Sequence, residues 1–182
     1  MSSYGVVLGL HIISVIAAFF LSGALHVSEY LMKGATSMAE VRRLTRTAKF
    51  APIFAPIVLG IFGFGFAMLH MDEGSAYKAS DGWVWTAMLA LAILFLDGPL
   101  VMARYAKKLE TLVAATPDGP VPDAVREEIT ATVPWVVGHA NSLLALSVIL
   151  NMTSKPGTGV ALTTIVIGGA LGAGLGYALS KR

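Results

Sequence analysis

The sequence predicts an all-α integral membrane protein with five transmembrane helices, its N-terminus outside and its C-terminus in the cytoplasm. Three observations carry that prediction. Hydrophobic residues make up 55% of the 182 residues and charged residues 13%. A soluble domain carries about a quarter charged residues, so too little polar surface is available to cover a water-soluble globule. The apolar residues fall into five runs, about 4–30, 51–71, 83–105, 134–152 and 160–179. Each is close to the roughly 20 residues needed to cross about 30 Å of hydrocarbon. The charges between the runs agree with one orientation.

Met1-Ser2-Ser3-Tyr4 carries no positive charge and the first run exceeds twenty residues, so it reads as a retained helix rather than a cleaved signal peptide. The segment after it holds Lys33, Arg42, Arg43, Arg46 and Lys49 against Glu40. Such a cluster is expected on the cytoplasmic side. Within it, Ser37-Met38-Ala39-Glu40 has capping-box spacing, in which each end satisfies a free backbone donor. The second helix is therefore expected to begin near Met38 and to kink at Pro52 and Pro56 on entering the membrane.

The next loop, with Asp72, Glu73, Lys78 and Asp81, is expected outside. The third run is interrupted by Asp97-Gly98-Pro99 and followed by Arg104, Lys107 and Lys108 on the inner side. Thr116-Pro117-Asp118-Gly119-Pro120 breaks the chain. Pro122, Asp123, Glu127 and Glu128 then give an acidic helix start leading toward Pro134. Lys155 lies in a short outer turn, and Lys181-Arg182 lies inside. Trp83, Trp85 and Trp135 stand at helix starts and read as interfacial anchors. The fifth helix carries Gly168, Gly172 and Gly176 at spacing four. Such residues let two backbones approach closely in lipid, either within the chain or against a second copy or partner subunit.

Composition also excludes functions. The net charge of +2 and pI near 9.0 do not indicate a nucleic-acid partner, because the basic residues stand at helix ends, where topology explains them. There is no cysteine. Disulfides, thiolate metal sites, iron–sulfur clusters and covalent c-type haem are therefore excluded. A metal would rest on His, Met, Asp or Glu. No phosphate-binding glycine loop, catalytic triad or zinc-protease spacing occurs.

Ionisable groups inside hydrocarbon are costly and are functional candidates. Toward the outer side, His11 lies about 10 Å in from Tyr4 and Met88 about 8 Å into the third helix. His70 is some 7 Å shallower than His11. Histidine and methionine ligate haem iron and copper. His11 with His70, His11 with Met88, and His11 alone are the candidate ligand sets. Met68, His70 and Met71 also form a candidate copper-capturing patch, with an interfacial histidine in water as the plainer reading. Toward the inner side, His26, Glu29, Asp97 and His139 fall at one depth on three helices. Such a cluster relays protons or holds a cation. The structural alternative is that Asp97 caps donors freed at a helix break while His26 and Glu29 simply pair. Gly60, Gly63 and Gly65 would admit a flat cofactor or a neighbouring helix.

Leu10-His11-Ile12-Ile13-Ser14-Val15, the basic loop Val41-Arg42-Arg43-Leu44, a Trp opening the third helix (Trp83 or Trp85) and Lys155-Pro156 after the fourth occur in this order. Over residues 5–156 the chain thereby resembles a group of bacterial membrane proteins. The group contains the copper-resistance CopD domain, the HemJ-type protoporphyrinogen oxidases and related integral membrane families. The resemblance implies a four-helix core, with the glycine-rich fifth helix outside it, sometimes haem b, and His11 as a haem ligand. Two departures point away from porphyrinogen oxidation. Thr86-Ala87-Met88 stands where the HemJ-type enzymes carry a lysine, and Ala18-Phe19 replaces the Trp that follows their first histidine.

Three roles follow as expectations for a multi-pass protein of the bacterial inner membrane. The first is a redox or metal-handling protein with haem b or copper on His11, joined by His70 or Met88. The second, without a cofactor, is a non-catalytic subunit or assembly factor that uses the fifth helix in a homo-oligomer or larger membrane complex. The third is a small proton-coupled transporter using Asp97 and His139.

Overall fold

The hydroxyl of Ser2 accepts a hydrogen bond from the Gly5 N–H at 3.1 Å and starts α1, which runs unbroken over Ser3–Lys33. In this structure, a computed structural model, residues 2–71 and 77–181 are described. Asp72, Glu73 and Arg182, part of the charge pattern above, lie outside them. About 85% of the chain is helical, with no strand among the described residues.

Ser37 and Glu40 form the expected capping box, and α2 begins at Met38 (Met38–Thr45). It passes through a tight 3-10 stretch, Arg46–Ile53, into α3 (Phe54–Met68). The proline pair explains the change of pitch. Pro52 and Pro56 each lack the N–H that an α-helix would use there.

The third apolar run is widened rather than ended at its proline. Helix α4 (Gly82–Asp97) continues through one π-helical turn, Gly98–Met102, into α5 (Ala103–Ala115). The Asp97 side chain makes no capping hydrogen bond. The expectation that it caps a helix break is corrected: the wider turn carries the chain past Pro99 instead. After a loop come α6 (Asp123–Ile129), α7 (Thr132–Ser154) and α8 (Thr158–Ser180).

Five helical stretches are long and apolar enough to cross a membrane: Ser3–Lys33, Met38–Met68, Gly82–Ala115, Asp123–Ser154 and Thr158–Ser180. Their outward side chains are apolar, among them Ile16, Phe20, Val166 and Leu171. Lipid would cover them at no cost in lost hydration.

Helix α1 packs along α3, and α4, α7 and α8 pack together. The second group has its own core of Ala87, Ala90, Leu144, Val148 and Ile165. The α7–α8 seam is the tightest in the chain. A Cβ added at Gly172 would lie 2.7 Å from Ala140 Cα, and one at Gly176 would lie 2.8 Å from Val136 Cα. A Cβ at Gly168 would run into Ser147 Oγ. Of the two uses weighed for this stripe, all three glycines serve packing within the chain.

A second core lies at one end. Met32, Ala35, Met38, Val41, Leu109, Val113, Val125 and Ile129 pack where α1, α2, α5 and α6 meet. Polar contacts strap this head together. Arg42 pairs with Asp118 and donates to the Thr116 carbonyl. Arg126 donates to the carbonyls of Lys33 and Ala35, at 3.2 and 3.1 Å, at the C-terminal end of α1. Lys108 pairs with Glu128. Lys33 reaches the Leu179 carbonyl, so the end of α8 lies at the head as well. The opposite end brings the start of α4 against the start of α8, where Gly82 faces Thr158. There Lys155 lies over the Tyr77 ring, 4.2 Å from its centroid.

Trp135 departs from its expected place. It is 1% exposed and donates from Nε1 to the Ile129 carbonyl at 2.8 Å. The cause is that α1 and α8 close over the start of α7, with Tyr30 edge-on to the ring, Lys33 above it and Gly176 against the Trp135 backbone. It is a buried brace and not an interfacial anchor.

The seam yields a direct test. Gly172→Leu is expected to lower the unfolding free energy in detergent by about 1–3 kcal/mol, through overpacking. Gly174→Leu, on the same helix with nothing within 4 Å of an added Cβ, should stay within about 0.5 kcal/mol of the parent.

Candidate functional site

The strongest polar cluster lies toward the head end, between α1 and α7. Ser22, His26 and Glu29 are spaced four and three residues apart on α1, which places them along one face. Gly138, His139 and Ser142 present themselves from α7. Gly138 makes the approach possible: a Cβ there would lie 3.1 Å from His26 Cε1.

Both ring nitrogens of His26 are engaged. Nδ1 lies 3.2 Å from Glu29 Oε2, and Nε2 lies 2.8 Å from the Ser142 hydroxyl. Ser142 is in turn 3.1 Å from the Gly138 carbonyl and 3.4 Å from Ser22 Oγ. The donor count in this chain has a chemical consequence. When Ser142 gives its proton to the Gly138 carbonyl, its oxygen accepts from Nε2–H. Nδ1 then faces a carboxylate, which only accepts, unless one of the two carries a further proton. In the other tautomer Nδ1–H donates to Glu29 and the Ser142 hydroxyl turns from the Gly138 carbonyl to donate to Nε2, so the state of the ring decides which partner Ser142 serves.

His139 completes the cluster through its ring face. It is 8% exposed, and its centroid lies 4.7 Å from that of His26. On its other side Trp135 stacks at 5.5 Å with an interplanar angle of 12°. Nδ1 of His139 lies 2.8 Å from the Trp135 carbonyl. A carbonyl accepts only, so Nδ1 is protonated and the lone pair of the neutral ring falls on Nε2. Tyr30 packs edge-on to Trp135 at 5.2 Å. Lys33 lies 5.0 Å from the Trp135 ring centroid.

The four inner residues of the sequence reading are thus partly united. His26, Glu29 and His139 come together. Asp97, half-buried at the end of α4, contributes no cap. Among the described residues, no three of His, Asp and Glu gather as a metal-holding group. Ser22, Ser142 and Gly138 belong to the site but were not singled out from the sequence. Their signal was spacing: Gly138 and Ser142 are one turn apart on α7, as Ser22 and His26 are on α1.

The outer residues are dispersed. His11 is 6% exposed and faces α3, where its Nδ1 meets the Ile61 carbonyl at 2.9 Å. A Cβ at Gly65 would lie 3.2 Å from His11 Cε1, so that glycine makes room for the ring. Gly60 likewise faces Ser14 Oγ, at 3.2 Å from an added Cβ, whereas nothing stands within 4 Å at Gly63. His70 lies past the end of α3, exposed, with Nδ1 3.0 Å from the Phe66 carbonyl one turn back. Met68 and Met71 are half-buried beside it. Met88 is half-buried on α4, which packs chiefly on α7 and α8 and only sparsely on α3, whereas His11 lies in the α1–α3 seam.

No protein-family model, curated protein or solved structure matches this chain. The chemistry of the site therefore rests on its own geometry. That geometry makes Gly138 the position to probe. Gly138→Val is expected to push α1 from α7 and to destabilise the fold by about 1–3 kcal/mol. Thermal unfolding followed by helical circular dichroism checks it.

Proposed function

We propose that this chain is a small proton-coupled membrane carrier in which the His26–Glu29 pair takes up and releases the coupling proton. The observation that carries the reading is the double engagement of His26, with a carboxylate on its own helix and a hydroxyl on α7. The cluster lies where the α1–α3 pair meets the α4–α7–α8 group. A proton on the ring would fix Nε2–H as the donor to Ser142 and return the Ser142 hydroxyl to the Gly138 carbonyl, so protonation would reverse the hydrogen bond across the α1–α7 seam, which is how a proton biases two arrangements of packed helices. Ionisable residues at such depth mark ion and proton paths in membrane proteins.

The orientation belongs to the same proposal. The head gathers the segments bearing Arg42, Arg43, Arg104, Lys107 and Lys108 with the end of α8. By the positive-inside bias that end faces the cytoplasm, with the N-terminus outside, in the inner membrane of a bacterium.

The cysteine-free chain allows spin labels at Val6→Cys on α1 and Thr153→Cys on α7, both exposed. The distance between them, measured by pulsed electron paramagnetic resonance in liposomes, is expected to differ between pH 5.5 and 8.5. In Glu29→Gln the distribution should be the same at both pH values. An unchanged distribution in the parent chain, or the same pH response in Glu29→Gln, refutes the reading.

A second reading, favoured by His11 alone, is a haem b or copper protein in a redox or metal-handling role. The bond from Nδ1–H to the Ile61 carbonyl fixes the ring and leaves the Nε2 lone pair, the arrangement that supports metal-ligating histidines. His11 would hold the metal, which would supply the redox chemistry. Its donor set is one nitrogen, without Met88 on the same seam. On this reading, protein purified from haem-replete cells shows a Soret band that disappears in His11→Ala. A flat spectrum without stoichiometric copper removes it.

A further inference from the structure

Helix α5 has two faces of different chemistry. Leu109 and Val113 are buried in the head. On the other side Arg104, Lys107, Lys108, Thr111, Leu112 and Ala115 line an open groove of about 580 Å³. Its floor is mostly apolar and its rim is basic. Arg104 and Lys107 are exposed. Lys108 pairs with Glu128 yet keeps 71% of its side chain exposed. Glu110 stands on α5 too, three residues from Lys107 and so beside it, but it does not line the groove.

Depth decides what meets these cations. Arg104 follows Gly82, the first residue of the span, by 22 residues, which is about 33 Å of helix. The hydrocarbon is about 30 Å thick. Arg104 thus falls where the phosphates of the lipid headgroups lie, and Lys107 and Lys108 follow within about one turn.

We infer that this groove is a binding site for the phosphodiester headgroup of an anionic phospholipid, with Arg104 and Lys107 on the phosphate and Lys108 at its edge. Arginine suits this task because its planar fork meets a phosphate with two hydrogen bonds. Leu112 and Ala115 give the apolar floor against which the carbon part of the headgroup region packs. The site is independent of the proton chemistry at His26 and depends only on the chain spanning a bilayer.

Native mass spectrometry of the full chain in detergent, titrated with phosphatidylglycerol or with phosphatidylcholine, tests it. The parent chain is expected to bind phosphatidylglycerol about thirtyfold more tightly, given about 1 kcal/mol for each of Arg104 and Lys107 at a charged membrane surface. The double variant Arg104→Gln/Lys107→Gln should bind both lipids alike. Arg104→Lys/Lys107→Arg should keep the preference. Arg43→Gln/Arg46→Gln, which removes the same charge from exposed positions on another segment of the head end, should keep it too. The parent's preference should also shrink as ammonium acetate is raised, since screening shortens the reach of the charges. That arm needs no variant to fold. No preference in the parent chain overturns the inference. An equal loss in Arg43→Gln/Arg46→Gln overturns it as well, because the effect would then belong to overall charge and not to this groove.

Discussion

The contact on which the rest of the structure depends is the backbone approach of α7 to α8. In lipid there is no hydrophobic force between two apolar helices, so close packing must supply the attraction. Gly168, Gly172 and Gly176 provide it by bringing α8 against the backbone of α7 from Trp135 to Ser147. The consequence is that α7 is the most enclosed of the spanning helices. Trp135, His139, Ser147 and Asn151 are buried on it. A helix held on one side by backbone contact has little freedom to rotate. Its remaining faces then hold Ser142 and His139 toward α1, while Leu144 and Val148 pack on α4 and α8.

The head supplies a second constraint, of a different kind. The end that gathers α2, α5 and α6 has a core like that of a small water-soluble domain, closed by arginine contacts to carbonyl groups. Arg126 meets the last carbonyl of α1, that of Lys33, which a helix leaves without a partner of its own, and the Ala35 carbonyl just beyond it. Between this stiff end and the α7–α8 seam lies the His26 cluster, where polar side chains rather than close-packed apolar ones join α1 to α7. The polar groups there satisfy one another, as groups away from water must. Among the described residues one buried side-chain atom stands apart from that rule: Asn151 Oδ1 has no hydrogen-bond partner, although Nδ2 donates to the Ala161 carbonyl at 2.9 Å.

Much of the architecture was legible because lipid imposes a simple code. The five apolar helices, the capping box at Ser37 and Glu40, and the glycine spacing in α8 all come from local chemistry, and each appears in the structure. What escaped depended on contacts between distant segments. Trp135, at a helix start, reads as interfacial from the sequence, but side chains of α1 and the backbone of α8 bury it. Asp97 was placed with the histidines by depth alone. Depth says nothing about rotation around a helix axis, and it is rotation that decides which neighbour a side chain meets. The same limit applies to His11 and Met88, which share a depth but lie on different seams. Ser142 went unnoticed because serines in apolar helices usually bond their own backbone, as Ser147 does to the Leu143 carbonyl at 2.9 Å.

The straps of the head also dictate an order of assembly. Arg42 meets Asp118 across 76 residues of chain, and Arg126 meets Ala35 across 91. These bonds cannot form while the ribosome has delivered only the first helical hairpin. They require the third spanning helix to have crossed and the segment through α6 to have emerged. Until then the carbonyls at the end of α1 and the apolar faces of α2 and α5 stand open to water. Closing the head marks the moment when three inserted helices become one body. The glycine seam of α7 and α8, next to each other in sequence, needs none of these bonds and can form as soon as α8 has entered. A chain truncated after α5 would thus leave the membrane with an unfinished surface of the kind that quality-control proteases recognise.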